Sequence, residues 1–549
     1  MPTEIIPRFT RSLSTAGVLL GALFFAASLA PSLIPRPFAV QGVLSGFSFA
    51  AGYGLGVLLR WLWLWLGFRE PQPRTASVSK LVASTVCLTI VGLFLWRASE
   101  WQDSVRLLMG LDPVQRGRPL EVAGIAAAVF AAVVVLARIF RRLKRFLAAR
   151  AGRHVPGRLS NIIGAVIAIA LAWSLVDGVL LRFALRGLDA SYQQMDELIE
   201  SDVERPVDPD RTGRDASLIA WEGVGRRGRE FLASTPSSVE LAAFLGTPAE
   251  QPVRVYAGLN SAESVAERAA LALAELVRAG GFEKSVLVIV TPTGTGWIDP
   301  GAIETLEYLH RGDVASVAMQ YSYLASHLAL LVEPSYGAEA ARALFREVYG
   351  HWTRLPRESR PRLYLHGLSL GAMNSDLASD LWDVIADPFH GALWAGPPFT
   401  SPTWRSVTEE RVPASPFWLP RFRDGSIVRF FNQGVTPEQE DAAWGPMRII
   451  YLQYASDPIT FFDPRSAWRE PPWMEGERGP DVSPRLRWFP VVTLLQLTVD
   501  VALANSTPVG FGHNYAPEDY VDAWIAVTDP PGWKPEDIAG LKARLASAR

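Results

Sequence analysis

Cysteine is almost absent from this chain of 549 residues, in which Cys87 is the single one. A lone cysteine excludes intramolecular disulfides and any metal site built from several thiolates. An excess of charge is also lacking, because 53 lysines and arginines face 55 aspartates and glutamates and the formal net charge is −2 at pH 7. Since nucleic-acid binding requires a clustered excess of basic residues, this balance argues against a nucleic-acid partner.

Apolar residues, in contrast, make up 49% of the chain, which excludes a disordered protein. They concentrate before residue 186, in five segments long enough for the roughly 20 residues that a membrane-spanning helix requires. These segments are residues 14–34, 39–59, 78–96, 120–138 and 160–181. The sequence therefore predicts a transmembrane domain of about five helices at residues 1–186, with the lipid bilayer as its partner.

The charges around these segments predict an orientation. Residues 138–158, between the fourth and fifth segments, carry eight basic residues and no acidic one, and cytoplasmic loops are enriched in Lys and Arg. With five crossings, the N-terminus lies in the cytoplasm and the chain after residue 186 is extracytoplasmic, at the cell (plasma) membrane. The first segment has a second interpretation as a signal peptide, because Arg8 and Arg11 precede its apolar run.

The rest of the chain has a different pattern. Residues 187–250 are acidic at first and then rich in turn formers, which predicts a linker and docking segment. From residue 251 to 549, short apolar runs alternate with helical stretches, and such alternation predicts an α/β domain with a mostly parallel sheet covered by helices on both faces. Strands are expected at residues 253–256, 285–291, 315–321, 363–366, 391–395 and 448–454.

One motif in this domain indicates catalysis. The strand at 363–366 runs directly into Gly367-Leu368-Ser369-Leu370-Gly371, and a helix is expected at 372–384. G-x-S-x-G between a strand and a helix is typical of a nucleophile elbow, where glycines allow a tight turn. We therefore expect Ser369 to be the nucleophile and the Leu370 amide to donate to an oxyanion.

A serine nucleophile requires a histidine base that a carboxylate orients. His390 and His513 are the histidines that follow Ser369; His390 begins a predicted strand, which favours a structural role, whereas His513 lies in a glycine-rich loop. His513 is therefore the expected base, and Asp457, after the strand at 448–454, is the expected acid. The acids that remain as alternatives are Asp463, Asp500 and Asp441.

A second oxyanion donor is expected from the loop after the strand at 285–291, which reads Thr291-Pro292-Thr293-Gly294-Thr295-Gly296-Trp297. Its glycines would let backbone amides approach the site, and the candidates are the amides of Thr293 and Gly294 within the stretch 293–296. The loop lacks the G-K-[ST] of a phosphate-binding loop. No cofactor or metal is expected.

Taken together, these motifs resemble the actinobacterial transmembrane α/β-hydrolase family. The matching stretches are residues 256–260, 291–297, 318–323, 367–371, 391–398, 451–458, 479–484 and 510–515. The resemblance implies a multi-helix membrane domain followed by a serine hydrolase domain with cap insertions, without a substrate class. Two features depart from the pattern: Leu368 stands where many members carry Glu, and residues 491–504 are predicted to be helical where this fold usually has a strand.

The leading interpretation is a membrane-anchored serine hydrolase, either an esterase or lipase-like enzyme or an acyltransferase, acting on an acyl ester or lipid. The alternative is a non-catalytic membrane protein that uses the hydrolase fold as a binding module in cell-envelope assembly or transport. Aromatic residues between 399 and 488 either line an acyl pocket, lie at the membrane interface or only pack a proline-rich cap. The tryptophans concerned are Trp404, Trp418, Trp444, Trp468 and Trp473.

Overall fold

The chain forms two compact units. The computed structural model describes residues 13–68, 73–114, 117–153, 155–174, 196, 203–206, 208, 210–324, 335–434 and 442–547. The first unit combines the N-terminal helices, up to Ala184, with Phe462–Pro508, and the second contains Leu185–Phe461 and Val509–Arg549. The stretch 462–508, which the sequence analysis assigns to the catalytic domain, thus packs with the N-terminal helices.

The first unit is helical. Its N-terminal helices are α1 (Thr15–Ser28), α2 (Phe38–Trp65), α3 (Pro73–Arg106), α4 (Pro119–Ala151) and α5 (Gly157–Trp173). Three of them, α2, α3 from Val78 onward and α4, are long and apolar enough to cross a membrane. Helices α1 and α5 have 14 and 17 residues, and the predicted fifth segment continues to residue 181, outside the described residues. Five crossings therefore remain a prediction, of which three are supported by helix length and composition.

Small residues let α1 and α2 pack closely. A Cβ atom placed on Gly52 would come within 2.5 Å of the Leu20 carbonyl oxygen, and one on Gly56 within 2.5 Å of the Ala16 carbonyl oxygen. These two glycines form a G-x-x-x-G face, a spacing that brings helix backbones together in membranes. Alanine at either position would force the two helices apart.

The second unit is built on a seven-stranded parallel sheet. Its strands are β1 (Val253–Ala257), β2 (Val286–Thr291), β3 (Val314–Met319), β4 (Arg362–Leu368), β5 (Gly391–Ala395), β6 (Val428–Phe431) and β7 (Arg448–Leu452), in the spatial order β1-β3-β2-β4-β5-β7-β6. Every pairing is parallel. Strands β2 and β3 are buried along their whole length, as expected for a parallel sheet between two helical layers.

Helices alternate with most of the strands, as the pattern predicts, and two helices precede the first strand. They are α6 (Arg226–Ala233), α7 (Ser238–Leu245), α8 (Val265–Arg278), α9 (Pro300–Leu309), α10 (Tyr336–Trp352), α11 (Leu370–Asp376), α12 (Leu381–Val384), α13 (Pro402–Glu409), α14 (Val492–Ala502), α15 (Pro517–Thr528) and α16 (Pro535–Ser547). The helix expected at 372–384 is divided into α11 and α12. The predicted fold class, a region of apolar helices followed by an α/β domain with a parallel sheet flanked by helices, is confirmed.

One edge of the sheet differs from the expected pattern. The edge position beside β7 is taken by β6, which pairs with β7 through Phe430 and Tyr451, although β6 precedes β7 in the chain. The stretch before His513 forms α14, as its sequence predicts, and this helix belongs to the first unit. Because β6 completes the edge, the sheet needs no strand from residues 462–508.

Candidate active site

Ser369 occupies a strained turn between β4 and α11. Its backbone has φ 58° and ψ −128°, a conformation that costs a residue with a side chain about 1–3 kcal/mol. A Cβ on Gly367 would lie 2.4 Å from the carbonyl of Gly371, and one on Gly371 would lie 2.3 Å from the Thr291 carbonyl oxygen. Both glycines of G-x-S-x-G are therefore required by close backbone approach.

The sheet order brings four loops to one edge. Strands β2, β4, β5 and β7 are consecutive neighbours, and their parallel direction places all their carboxyl ends on the same side. The oxyanion-loop candidate follows β2, Ser369 follows β4, Gly396 follows β5 and Asp457 lies five residues beyond β7. All of these residues belong to the second unit.

The structure brings His513 and Asp457 together. Nδ1 of His513 lies 2.7 Å from Oδ2 of Asp457, and the Asp457 side chain is fully buried. A second contact fixes the two loops, because the Gly512 amide donates to the Ser456 hydroxyl at 2.8 Å. Gly512 has φ 59°, which only glycine adopts without strain. The predicted acid and base are thus one hydrogen-bonded pair.

Three further donors converge on the Asp457 carboxylate. The hydroxyl of Tyr515 donates to Oδ2 at 2.8 Å, that of Thr460 donates to Oδ2 at 3.2 Å, and the Ile459 amide donates to Oδ1 at 2.8 Å. Burying a carboxylate is costly unless donors such as these satisfy its oxygens. Burial and the neighbouring Asp457 carboxylate raise the pKa of Tyr515 well above its usual range, so the phenol stays protonated and keeps donating.

The other candidate acids lie elsewhere. Asp463 accepts a hydrogen bond from the Arg465 amide and begins the 3₁₀ turn Pro464–Ala467. Asp500 accepts from the Leu33 amide and the Ser32 hydroxyl within the first unit. Asp441 lies outside the described residues. Of the three acids that the structure describes, Asp457 is the one that it places against His513.

His513 also lies next to the chain that follows β5. A Cβ on Gly396 would come within 2.7 Å of His513 Cε1, and the preceding residue, Ala395, accepts a hydrogen bond from the Ser369 amide at 2.9 Å. The turn that carries Ser369 and the imidazole of His513 therefore lie next to the same pair of residues, Ala395 and Gly396. Nε2 of His513 is buried and has no hydrogen-bond partner within the described part of the chain, so the Ser369 hydroxyl is not bonded to it here. Such contacts are often loose until substrate binds.

The candidate oxyanion donors are in different situations. Leu370 is the first residue of α11, and an amide in the first turn has no acceptor within its helix. In the loop after β2, the Thr293 amide donates to the Trp297 carbonyl and the Gly296 amide to the Thr293 carbonyl, both at 2.9 Å. The Thr293 amide is thus already paired inside a closed turn. Gly294 is the second candidate donor of this loop.

Residues that the sequence analysis did not single out support the site. The Tyr256 hydroxyl donates to the Gly296 carbonyl at 2.7 Å and so holds the loop after β2. Tyr515, Thr460 and Gly396 contact the acid or the base directly. Tyr256, Tyr515 and Gly396 fall in stretches that carry the family resemblance, but their roles depend on contacts between distant loops that the sequence does not reveal.

Three other histidines of the second unit, His310, His366 and His390, have surroundings of their own. The Leu363 amide donates to Nδ1 of His390 at 3.1 Å, at the opposite end of β5 from the site. Burial lowers the pKa of His366 to about 4 and, with Arg362 nearby, that of His310 to about 4. Among the described residues there is no group of three or more His, Cys, Asp or Glu side chains that could hold a metal ion.

The tryptophans beyond β5 have different surroundings. Trp404 is buried, donates to the Gln453 side chain at 2.7 Å, and meets Phe417 and Phe461 edge to face. Trp468, in the first unit, is 69% exposed. Trp404 therefore belongs to the packed interior of the segment after β5, whereas Trp468 lies at the surface of the first unit.

Comparison with known proteins gives two matches. A model described as "Alpha/beta-hydrolase family" matches residues 253–541, and one described as "Alpha/beta-hydrolase family N-terminus" matches residues 29–236. No curated protein matches the chain. No solved structure matches it either.

Proposed function

The chain belongs to the alpha/beta-hydrolase family, and we propose that it is a membrane-anchored serine hydrolase that acts on acyl esters. The observation that carries this proposal is the buried Asp457–His513 pair beside the strained turn of Ser369. Strain at one residue and a buried, fully paired carboxylate at another are costly. A protein that only bound ligands through this fold would require neither.

Each group has a defined role in the proposed reaction. The Ser369 oxygen attacks the acyl carbonyl while Nε2 of His513 takes its proton. Asp457 holds Nδ1–H and stabilises the imidazolium that forms. His513 then returns the proton to the leaving alcohol, which departs and leaves an acyl-Ser369 ester. Water or an alcohol releases the acyl group by the same steps in reverse, so the outcome is hydrolysis or acyl transfer.

Backbone amides are proposed to stabilise the tetrahedral oxyanion. The Leu370 amide is proposed as one donor because it lies at the start of α11, where amides have no acceptor within the helix. The second donor is proposed to come from the turn after β2, where the amides of Thr293 and Gly294 are the candidates. Preorganised donors of this kind each contribute about 10²–10³ in kcat in serine hydrolases.

We further propose that the catalytic unit is extracytoplasmic at the cell membrane and that its substrate is a lipid or another acyl ester. The basic stretch at residues 138–158 supports the orientation. Three helices long and apolar enough to cross a bilayer support the membrane location. A membrane anchor keeps an esterase close to lipid substrates.

A fluorophosphonate probe tests the proposal, because it labels only an activated serine. Wild-type protein should be labelled, and Ser369→Ala should lose the label while keeping its thermal unfolding transition. Ser406→Ala is the matched control, since Ser406 is an exposed serine of α13 in the same unit, and it should label as the wild type does. A folded wild type that neither labels nor hydrolyses short-chain and long-chain esters would favour the binding-module alternative.

A further inference from the structure

A cavity in the first unit lies outside the proposed active site. It has a volume of about 620 Å³ and is lined by the C-terminal part of α3, the N-terminal ends of α2 and α4, the loop between α1 and α2, and the loop between α3 and α4. The same three helices are the ones long and apolar enough to cross a membrane. The cavity therefore lies at one end of the spans, at the level where lipid headgroups meet a membrane protein.

Buried polar groups of this cavity lack partners. Arg36 is 6% exposed, and only its Nη2 donates, to the Ala30 carbonyl at 3.0 Å; Nε and Nη1 have no hydrogen-bond partner among the described residues. Gln41 is 5% exposed and uses its amide nitrogen on Ser28 and Ser45, while Oε1 has no partner in the same part of the chain. Buried donors are normally satisfied, so Arg36 points to a ligand that accepts.

The charge of the lining is positive. Three arginines face the cavity, Arg36, Arg106 and Arg118, against one acid, Asp112. Asp500, whose carboxylate accepts hydrogen bonds from the Ser32 hydroxyl and the Leu33 amide, also interacts electrostatically with Arg36. One positive charge thus remains in excess. Guanidinium groups pair well with phosphate and carboxylate oxygens.

A second wall of the cavity is apolar. Leu95 on α3 and Val122 on α4 line the cavity deeper in the helix bundle than the arginines at the helix ends, together with Leu29 and Ala98. A free anion would leave this wall uncovered, and an uncharged lipid would leave the Arg36 guanidinium unpaired. The ligand that satisfies both walls has an oxyanion at one end and a hydrocarbon chain at the other.

We propose that this cavity binds an anionic amphiphile, with its phosphate or carboxylate on Arg36, Arg106 and Arg118 and the beginning of its acyl chain against Leu95 and Val122. The site is separate from Ser369 and does not depend on the proposed hydrolysis. Arg106 and Arg118 complete the headgroup site from the two helix ends. Arg106 is steadied by donating to the Asp112 carbonyl, and the Arg118 guanidinium lies 4.6 Å from the centre of the Phe38 ring.

The test measures thermal unfolding of the full chain in a neutral detergent during titration with four probes. These are dioleoylphosphatidylglycerol, oleate, dioleoylphosphatidylcholine and inorganic phosphate. The variants are Arg106→Gln/Arg118→Gln, which neutralises the two arginines at the helix ends, and Val114→Trp, which fills the cavity from its loop. Arg145→Gln is the matched control, because Arg145 is an exposed arginine of α4 far from its N-terminus.

The wild type and Arg145→Gln should show a saturable rise of Tm with phosphatidylglycerol or oleate, and no comparable rise with phosphatidylcholine or inorganic phosphate. Arg106→Gln/Arg118→Gln should require at least tenfold more lipid, and Val114→Trp should lose the response while its own Tm stays measurable. Which of the two anionic amphiphiles acts identifies the headgroup. An equal response to phosphatidylcholine or inorganic phosphate, or equal responses of all variants, would overturn the proposal.

Discussion

Replacing Asp457 by asparagine tests the centre of the proposed site. Oδ2 of the carboxylate pairs with Nδ1 of His513 and accepts hydrogen bonds from the hydroxyls of Tyr515 and Thr460, and Oδ1 accepts one from the Ile459 amide. An asparagine side chain offers one oxygen and one NH₂ group. If the asparagine oxygen accepts from the three donors that Oδ2 had, its NH₂ group faces the Ile459 amide, and two donors meet. In the reverse orientation the NH₂ group faces all three of the other donors.

The first orientation is therefore favoured, and its magnitudes can be worked out. One half-buried amide, that of Ile459, loses its acceptor, which costs at most about 1–3 kcal/mol of the free energy of unfolding. Catalysis loses more, because the imidazolium that forms on proton transfer has no negative charge beside it. Loss of the orienting aspartate in a triad lowers kcat on the order of 10⁴, which corresponds to about 5 kcal/mol of transition-state stabilisation.

The measurement compares the hydrolysis rate of a chromogenic ester and the Tm for the wild type, Asp457→Asn and Asp463→Asn. Asp463→Asn is the control because asparagine begins a helical turn about as well as aspartate, so both quantities should change little. The expected pattern for Asp457→Asn is a collapse of kcat with a modest fall in Tm. Full turnover of Asp457→Asn, or an inactive Asp463→Asn, would refute the assignment of the acid.

Three further outcomes are expected. Tyr515→Phe removes one donor from Asp457 and should lower the free energy of unfolding by about 1 kcal/mol in denaturant titrations, with a smaller loss of kcat than Asp457→Asn. His310 has a pKa of about 4 in the folded chain against 6.5 in the unfolded chain. The unfolded state therefore binds more protons between these two values, and the free energy of unfolding falls as the pH is lowered. When the pH is lowered from 7 to 5, the free energy of unfolding of His310→Gln should therefore fall by about 2 kcal/mol less than that of the wild type. Equal decreases in the two proteins would contradict a neutral, buried histidine. Alkaline phosphatase fused after Arg549 should be active and a fusion near Arg150 inactive, and the reverse pattern would mean that the number of crossings is not five.

Much of the second unit could be predicted because its strands are continuous apolar runs bounded by helices. The strand that was missed, β6, has four residues, Val428–Phe431, too few for a pattern to stand out. The helix predicted at 372–384 is interrupted by the turn at residues 377–380, although its residues are compatible with helix. Local sequence therefore predicts long elements well and short edge elements poorly.

The candidate site shows the same division. Ser369 could be predicted because the elbow requires glycine at two nearby positions. His513 could be predicted because few histidines follow Ser369 in the sequence. Which aspartate meets His513 depends on where the chain goes after β7. The contacts of Tyr515 with Asp457 and of Gly396 with His513 join loops that are far apart in sequence, so no local pattern could have identified them.

The stretch 462–508 links these observations. It lies between the acid and the base in the chain, yet it packs with the N-terminal helices, where Asp500 binds Ser32 and the Ser483 hydroxyl lies 2.8 Å from that of Ser104. This insertion is possible because β6 already fills the edge of the sheet beside β7. The first unit is therefore not an anchor that ends where the hydrolase sequence begins. Its core includes a segment of the hydrolase sequence, so the first unit is built from two separate stretches of the chain.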